Sequence, residues 1–169
     1  YINEEQYYDF SYRLRSPMKL SGGVGFFFSN QGFISADVDF VDYSTINFSS
    51  ADNIGSAVIT NNNRDVLNNF KSAVNYRIGG EYKIDQVMLR AGYGIMGNPY
   101  KNLNDSDFAT TTYSAGIGYR INNYYIDLGY QNISYQTDLK PYTLSDGSGP
   151  VAALKNSRSN VFLTIGSRF

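Results

Sequence analysis

Period-two alternation governs most of this chain, and its charged side chains obey it. In the body of the expected strands they fall on the same face as the glycines, while the opposite face is apolar and rich in Tyr. Strands are expected over residues 4–14, 18–28, 32–42, 71–83, 87–96, 111–121 and 124–135, with an eighth running from about 158 to the C-terminus. In 87–96, for example, Val87, Leu89, Ala91, Tyr93 and Ile95 alternate with Met88, Arg90, Gly92, Gly94 and Met96. A water-facing surface tolerates an occasional Lys at little cost. In hydrocarbon a midplane Lys or Arg costs ~2–4 kcal/mol, so a charge-free face is what lipid imposes.

Connection lengths point the same way. Tight turns are expected at 29–31, 84–86 and 122–123, and longer segments at 43–70, 97–109 and 136–157. With Phe169 at the periplasmic end, every tight turn falls on that side and every long loop outside, the asymmetry of outer-membrane barrels. Within the first long segment, Arg64–Phe70 could form two turns of amphipathic helix. Each strand reaches the ~9–11 residues that a tilted spanning strand needs. The fold class expected is therefore all-β: a transmembrane antiparallel up-and-down β-barrel, with residues 1–169 forming part of one domain. A β-sandwich also alternates with period two, but its outer face would be the charged one and its inner face apolar.

Composition removes whole classes of function. The chain has no His and no Cys, which takes away the usual general base, thiolate metal sites and every Ser-His or Cys-His arrangement. No enzyme activity, cofactor or metal is expected. With 14 basic and 15 acidic side chains there is no electrostatic case for nucleic acid. No apolar run is long enough for a transmembrane helix, and the polar opening Tyr1-Ile-Asn-Glu-Glu5 does not read as a signal peptide. The 16 Tyr, 11 Phe and 16 Gly suit a barrel in which only alternate residues meet lipid.

Several stretches resemble the long-chain fatty-acid and hydrocarbon transporter family of outer-membrane barrels, in the form common among Bacteroidetes. They are Ser16-Pro17 leading into Leu20–Phe26, then Gly32–Ser44, Arg90–Lys101, Thr112–Arg120 and Phe162–Phe169. The most particular is Ser35-Ala-Asp-Val-Asp-Phe-Val-Asp-Tyr-Ser44. The resemblance implies a fourteen-stranded barrel with an N-terminal plug, of which about eight strands, the C-terminal part, lie here. It also implies a hydrophobic small molecule as cargo and outer-membrane lipid as surroundings. The ending Val161, Leu163, Ile165 and Phe169 resembles the signal read by the barrel-assembly machinery, although Ser167 departs from the aromatic often found there.

Two sets of residues are candidates on the inward face. The first is charged: Asp9, Arg13, Lys19, Asp37, Asp39, Arg77, Glu81, Arg90, Arg120, Asp127 and Arg168. These could grip a ligand carboxylate, but a salt-bridge network filling the interior is favoured, because buried charges must be paired. Asp37 and Asp39 share a face, so at least one needs a cationic neighbour. The second set is apolar: Phe27, Met88, Met96, Tyr125, Ile133 and Phe162. It could pass a hydrophobic cargo, or pack against a plug.

Glycines at every second position, as in Gly22-Gly-x-Gly25, Gly92-x-Gly94 and Gly116-x-Gly118, lack the following Lys-Ser/Thr and helix of a phosphate cradle; room for a plug, or relief of curvature, is expected instead. Asn104–Asp107 and Asp146–Gly149 lack calcium-loop spacing and read as solvated turns. Tyr43, Tyr82, Tyr124 and Tyr135 suit an aromatic girdle.

The function expected is passive uptake of hydrophobic small molecules such as fatty acids through an outer-membrane channel. The alternatives are a scaffold barrel that holds a secretion or surface-protein partner through its outer loops, and an autonomous eight-stranded barrel whose interior is filled by side chains.

Overall fold

The computed structural model describes residues 11–50 and 55–167. In chain order these form β1 (Arg13–Arg15), β2 (Met18–Phe28), β3 (Gly32–Asp42), a 3-10 turn (Tyr43–Thr45), β4 (Asn47–Ser49), α1 (Ser56–Asn69), β5 (Ser72–Ile84), β6 (Val87–Met96), α2 (Asp105–Phe108), β7 (Thr110–Ile121), β8 (Tyr124–Leu139) and β9 (Ala152–Ser167). Seven of these strands make one antiparallel sheet in the order β2-β3-β5-β6-β7-β8-β9. Each pairs with its sequence neighbour in the sheet, so β2 and β9 are its two edges and run in the same direction.

The turns explain the register. Asp85-Gln86 and Asn122-Asn123 are two-residue connections between paired strand ends, and Ser29–Gln31 is a three-residue one. Each opens with a residue at positive φ: Ser29 at 51°, Asp85 at 53° and Asn122 at 50°. Asp and Asn accept that left-handed conformation readily, whereas Ser does so less well. All three turns lie at one end of the sheet. The long connections 43–71, 97–109 and 140–151 lie at the other.

The expected first strand, 4–14, is corrected where it can be seen. Residues 4–10 lie outside the described residues, and Arg13–Arg15 pairs with Asn47–Ser49 in a separate two-stranded sheet rather than joining the large one. Among the described residues the large sheet is open. The helix expected over 64–70 is longer, spanning Ser56–Asn69, and it starts after Gly55 at φ 72° without a side-chain cap. Strands β8 and β9 each extend beyond expectation, to Leu139 and back to Ala152, so that they continue as a two-stranded ribbon past the end of β7.

The alternation separates two faces. On one stand residues such as Leu20, Val24, Ile78, Leu89, Ile117, Leu128 and Leu163, all exposed, with Val161 and Ile165 more than 70% accessible. Among the described residues the buried apolar side chains are Val41, Val66, Ala73 and Met88, of which Val41 and Ala73 are register partners. The chain exposes 12,823 Å², where a compact globular protein of its mass would expose ~8,300 Å². Asp42, the last residue of β3, has the parity of the apolar face, so the exclusion of charge fails at that strand end. Its carboxylate accepts from Ser44 N at 3.1 Å and from Ser44 Oγ at 2.6 Å, capping the 3-10 turn.

The loop end is folded in its own right. Asn63 brackets Phe48, accepting from its N–H at 2.7 Å and donating to its carbonyl at 2.9 Å, which ties α1 to β4. Buried Asn98 donates to the carbonyls of Tyr100 and Leu103 and to the Asp105 carboxylate, and accepts from Tyr100 N. Lys71 N to Pro99 O and Lys101 N to Asn69 O then join the two longest connections, with the Phe70 and Tyr100 rings 5.2 Å apart.

Candidate functional site

The charged face carries the chemistry of this molecule, and its charges gather into two separate triads. In the first, Asp39 on β3 is 2% exposed and lies 3.2 Å from Lys19 Nζ on β2 and 2.8 Å from Arg77 Nη2 on β5. In the second, Arg90 on β6 places Nε 2.6 Å from Glu81 on β5 and Nη1 2.6 Å from Asp127 on β8. Each central group therefore meets two opposite charges, as a partly desolvated ion requires. The triads leave one surplus positive charge at the Asp39 site and one surplus negative charge at the Arg90 site.

Strand β7 explains how the second triad closes. It lies between β6 and β8, and it puts Gly116 opposite Arg90 and Gly118 opposite Met88 and Asp127. A Cβ on Gly118 would run into the Asp127 carboxylate and stand 3.3 Å from Arg90 Nη1. Glycine here lets an arginine cross over a whole strand. Similar reasoning applies at Gly23, where a Cβ would meet the Asp37 carboxylate, and at Gly166, where it would meet the Tyr125 ring. These glycines make room for side chains of the same sheet, which is a different reason from the plug or curvature expected from the sequence.

The remaining charged candidates stand apart. Asp37 is the register partner of Arg77, yet among the described residues it forms no ion pair; the Arg77 guanidinium turns to Asp39 instead. Arg120 lies with its guanidinium carbon 5.7 Å from the centre of the Tyr125 ring, and its buried Nε has no hydrogen-bond partner. Asp9 and Arg168 lie outside the described residues, as does Phe169 of the proposed assembly signal. The other three residues of that signal, Val161, Leu163 and Ile165, stand exposed on the apolar face of β9.

The apolar candidates do not form one patch. Phe27 is highly exposed and its ring is 5.9 Å from that of Phe33. Phe162 belongs to the same register row, which runs Phe27, Phe33, Glu81, Arg90, Gly116, Gly129, Phe162. That places the two phenylalanines six strand spacings apart, ~29 Å along the sheet. Met96 stands exposed near the loop end, Ile133 is half-buried, and Tyr125 is engaged by Arg120. Met88 is buried, with its Sδ 3.8 Å from Arg90 Nη2, so it supports the triad and presents no surface to a ligand. Phe33, which lies opposite Phe27, was not singled out from the sequence; its partner's position across the Ser29–Gln31 turn is the signal that points to it.

Of the four girdle tyrosines, Tyr82 and Tyr124 stand exposed on the apolar face toward the tight-turn end. Tyr43 is in the 3-10 turn, and Tyr135 has the parity of the charged face. In the long connections, Asn104 Nδ2 donates to Asp107 at 3.1 Å, and Asp146 accepts from the N–H and hydroxyl of Ser148. Those bonds hold the Asp146 carboxyl below the usual carboxylate range, the Ser148 hydroxyl contributing most.

No family model matches this sequence, and no curated protein matches it.

Proposed function

We propose that this chain forms part of the wall of a transmembrane β-barrel that lets hydrophobic small molecules such as fatty acids cross a bacterial outer membrane without covalent chemistry. One observation carries the reading: seven antiparallel strands of 10 to 16 residues share an exposed apolar face with the charges on the reverse, a rule that Asp42, Asp138 and Lys155 break only toward the loop end. Leaving a Leu- or Phe-sized side chain in water forgoes roughly 1.5–3 kcal/mol each. Over such a face the sum exceeds the ~5–15 kcal/mol by which a domain is stable. Surrounding lipid removes that cost. Every tight turn then lies on the periplasmic side, with the C-terminus, and the barrel-assembly machinery would insert the chain.

On the lumenal side, the exposed rings of Phe27, with Phe33 beside it, and of Phe162 offer greasy footholds ~29 Å apart on the face that also carries the charges and most of the glycines. The Arg90 triad is net negative and would turn a carboxylate away, whereas the surplus positive charge that Lys19 and Arg77 leave at Asp39 would be a resting point for one. Uptake of a labelled long-chain fatty acid by cells with and without the gene tests this; equal uptake overturns it.

A second reading, a scaffold for a secretion or surface-protein partner, is favoured by the folded loop end, where Asn98, Asn63 and the Phe70–Tyr100 contact build a defined surface. A stoichiometric partner lost on trimming 43–70 would support it over transport.

A further inference from the structure

The apolar face changes character abruptly toward the loop end of β7, β8 and β9. The row Ala115, Tyr130, Val161 is still apolar. The next row on the same side is Tyr113, Asn132, Ser159, and the one beyond it is Thr111, Ser134, Ser157. A bonded seam marks the step. The Tyr130 hydroxyl is 3.0 Å from Ser159 Oγ, and Asn132 Nδ2 donates to the hydroxyls of Ser157 at 2.9 Å and Ser159 at 3.0 Å.

A depression lies on each side of this seam. The lower, about 380 Å³, is walled by Ile117, Leu128, Tyr130 and Val161 over Ala115. The upper, about 340 Å³, lies between α2 and the β8–β9 ribbon and is lined by Asp107, Thr111, Ser134, Gln136, Lys155 and Ser157. Among the described residues, neither the Gln136 amide nor the Lys155 ammonium has a side-chain partner.

Resting on the membrane-spanning reading, we infer that this strip holds a single lipid with a sugar headgroup, its acyl chain in the lower depression and its sugar in the upper. Sugar hydroxyls are donors and acceptors at once. The upper depression offers them the Gln136 amide, which does both, the Lys155 ammonium, which donates, and the hydroxyls of Thr111, Ser134 and Ser157, the last two already bonded to Asn132 and the Asp107 carboxylate already accepting from Asn104. The charges of Asp107 and Lys155 offset each other, and Asp138 stands on the same side of β8, so no positive field selects an anionic headgroup. The seam supplies the step from polar to apolar that a lipid has at its glycerol. From Leu128 to Gln136 is eight residues of strand, ~27 Å, enough for a headgroup and the upper part of a chain.

The test uses the full chain folded into phosphatidylcholine vesicles doped with either monoglucosyl diacylglycerol or phosphatidylglycerol, then released into detergent for native mass spectrometry. Retention of the glucosyl lipid over both phospholipids is expected, with free methyl glucoside failing to bind. The double variant Gln136→Ala, Lys155→Ala should lower that retention about tenfold, as expected for two lost hydrogen bonds. Preference for phosphatidylglycerol, equal retention of all lipids, tight binding of methyl glucoside, or an unaffected double variant would each overturn the inference. Insertion is read separately, from the change in gel mobility on heating. A chain that inserts but retains no glucosyl lipid removes this inference alone, whereas absence of the protein from the membrane fraction of the cells that make it removes the membrane reading with it.

Discussion

The Arg90 guanidinium reaches the Asp127 carboxylate at 2.6 Å across a strand to which neither belongs. The intervening β7 offers only hydrogen at Gly116 and Gly118, so the pair closes over bare backbone. Replacing Gly118 with Ala should therefore act on an ion pair in two other strands. The expected loss is about 1–3 kcal/mol, as for overpacking, read from urea unfolding of the vesicle-folded protein. If the added methyl works through the pair, the loss should shrink in an Asp127→Ala background.

Removing the arginine itself leaves two carboxylates facing the gap. Arg90→Met should destabilise by ~1–3 kcal/mol, below the ~3–5 kcal/mol of a fully buried pair, because Arg90, Glu81 and Asp127 are each a fifth to a third exposed. Adding Glu81→Gln and Asp127→Asn should recover much of it. Failure of the triple variant to recover would show that the triad matters for more than its charge.

Lipid and water can be told apart by where an arginine is tolerated. Leu128→Arg, on the apolar face, should cost ~2–4 kcal/mol in a bilayer. Thr164→Arg, beside Asp127 on the charged face of the neighbouring strand, should cost little. Equal costs, measured by folding yield into vesicles, would remove the lipid-facing assignment.

The Lys71–Asp105 contact gives the loop end a pH dependence of stated sign. The Lys71 ammonium, 2.6 Å away, is the main cause that holds the Asp105 carboxyl below the usual range, with the Asn98 amide adding to it. A carboxyl depressed in the folded state contributes stability that is fully present above its unfolded pKa and is lost as pH falls through its folded one. Hydrogen exchange in residues 97–109 should therefore quicken below the ordinary carboxylate range, and Asp105→Asn should remove that step. Both groups are solvent-accessible, so salt should weaken the effect.

At the Ser29 turn the strain is in the backbone. A non-glycine residue at φ 51° carries a penalty that glycine lacks. Ser29→Gly should stabilise by up to ~1 kcal/mol, measured by the same unfolding experiment, while the corresponding change at Asn122 should gain less.

What was legible in the sequence follows from which signals are local. The span 87–96 and the turns at 29–31 and 122–123 match the structure residue for residue, because alternation and turn chemistry are carried by neighbours in the chain. The ribbon beyond Ser134 was hidden, since Gln136, Thr137, Asn156 and Ser157 have no apolar face to alternate. Strand β4 is three residues long and takes its partner from Arg13–Arg15. The first half of α1 holds Val58, Ile59 and Thr60 followed by three asparagines, all poor helix formers, and its hold on the structure includes the Asn63–Phe48 bracket. The need for charge pairing was readable. Which cation meets which carboxylate was not, because Arg90 finds Asp127 two strands away.

Among the described residues the sheet has an odd number of strands, and that limits what can complete it. Because β2 and β9 run the same way, joining them directly would create a parallel seam, with slanted hydrogen bonds in an otherwise antiparallel ladder. Two identical copies set head to tail about a common axis would meet the same obstacle twice. An all-antiparallel closed ring instead needs an odd number of inserted strands, a rule that one strand or seven satisfies and that no even-numbered partner can.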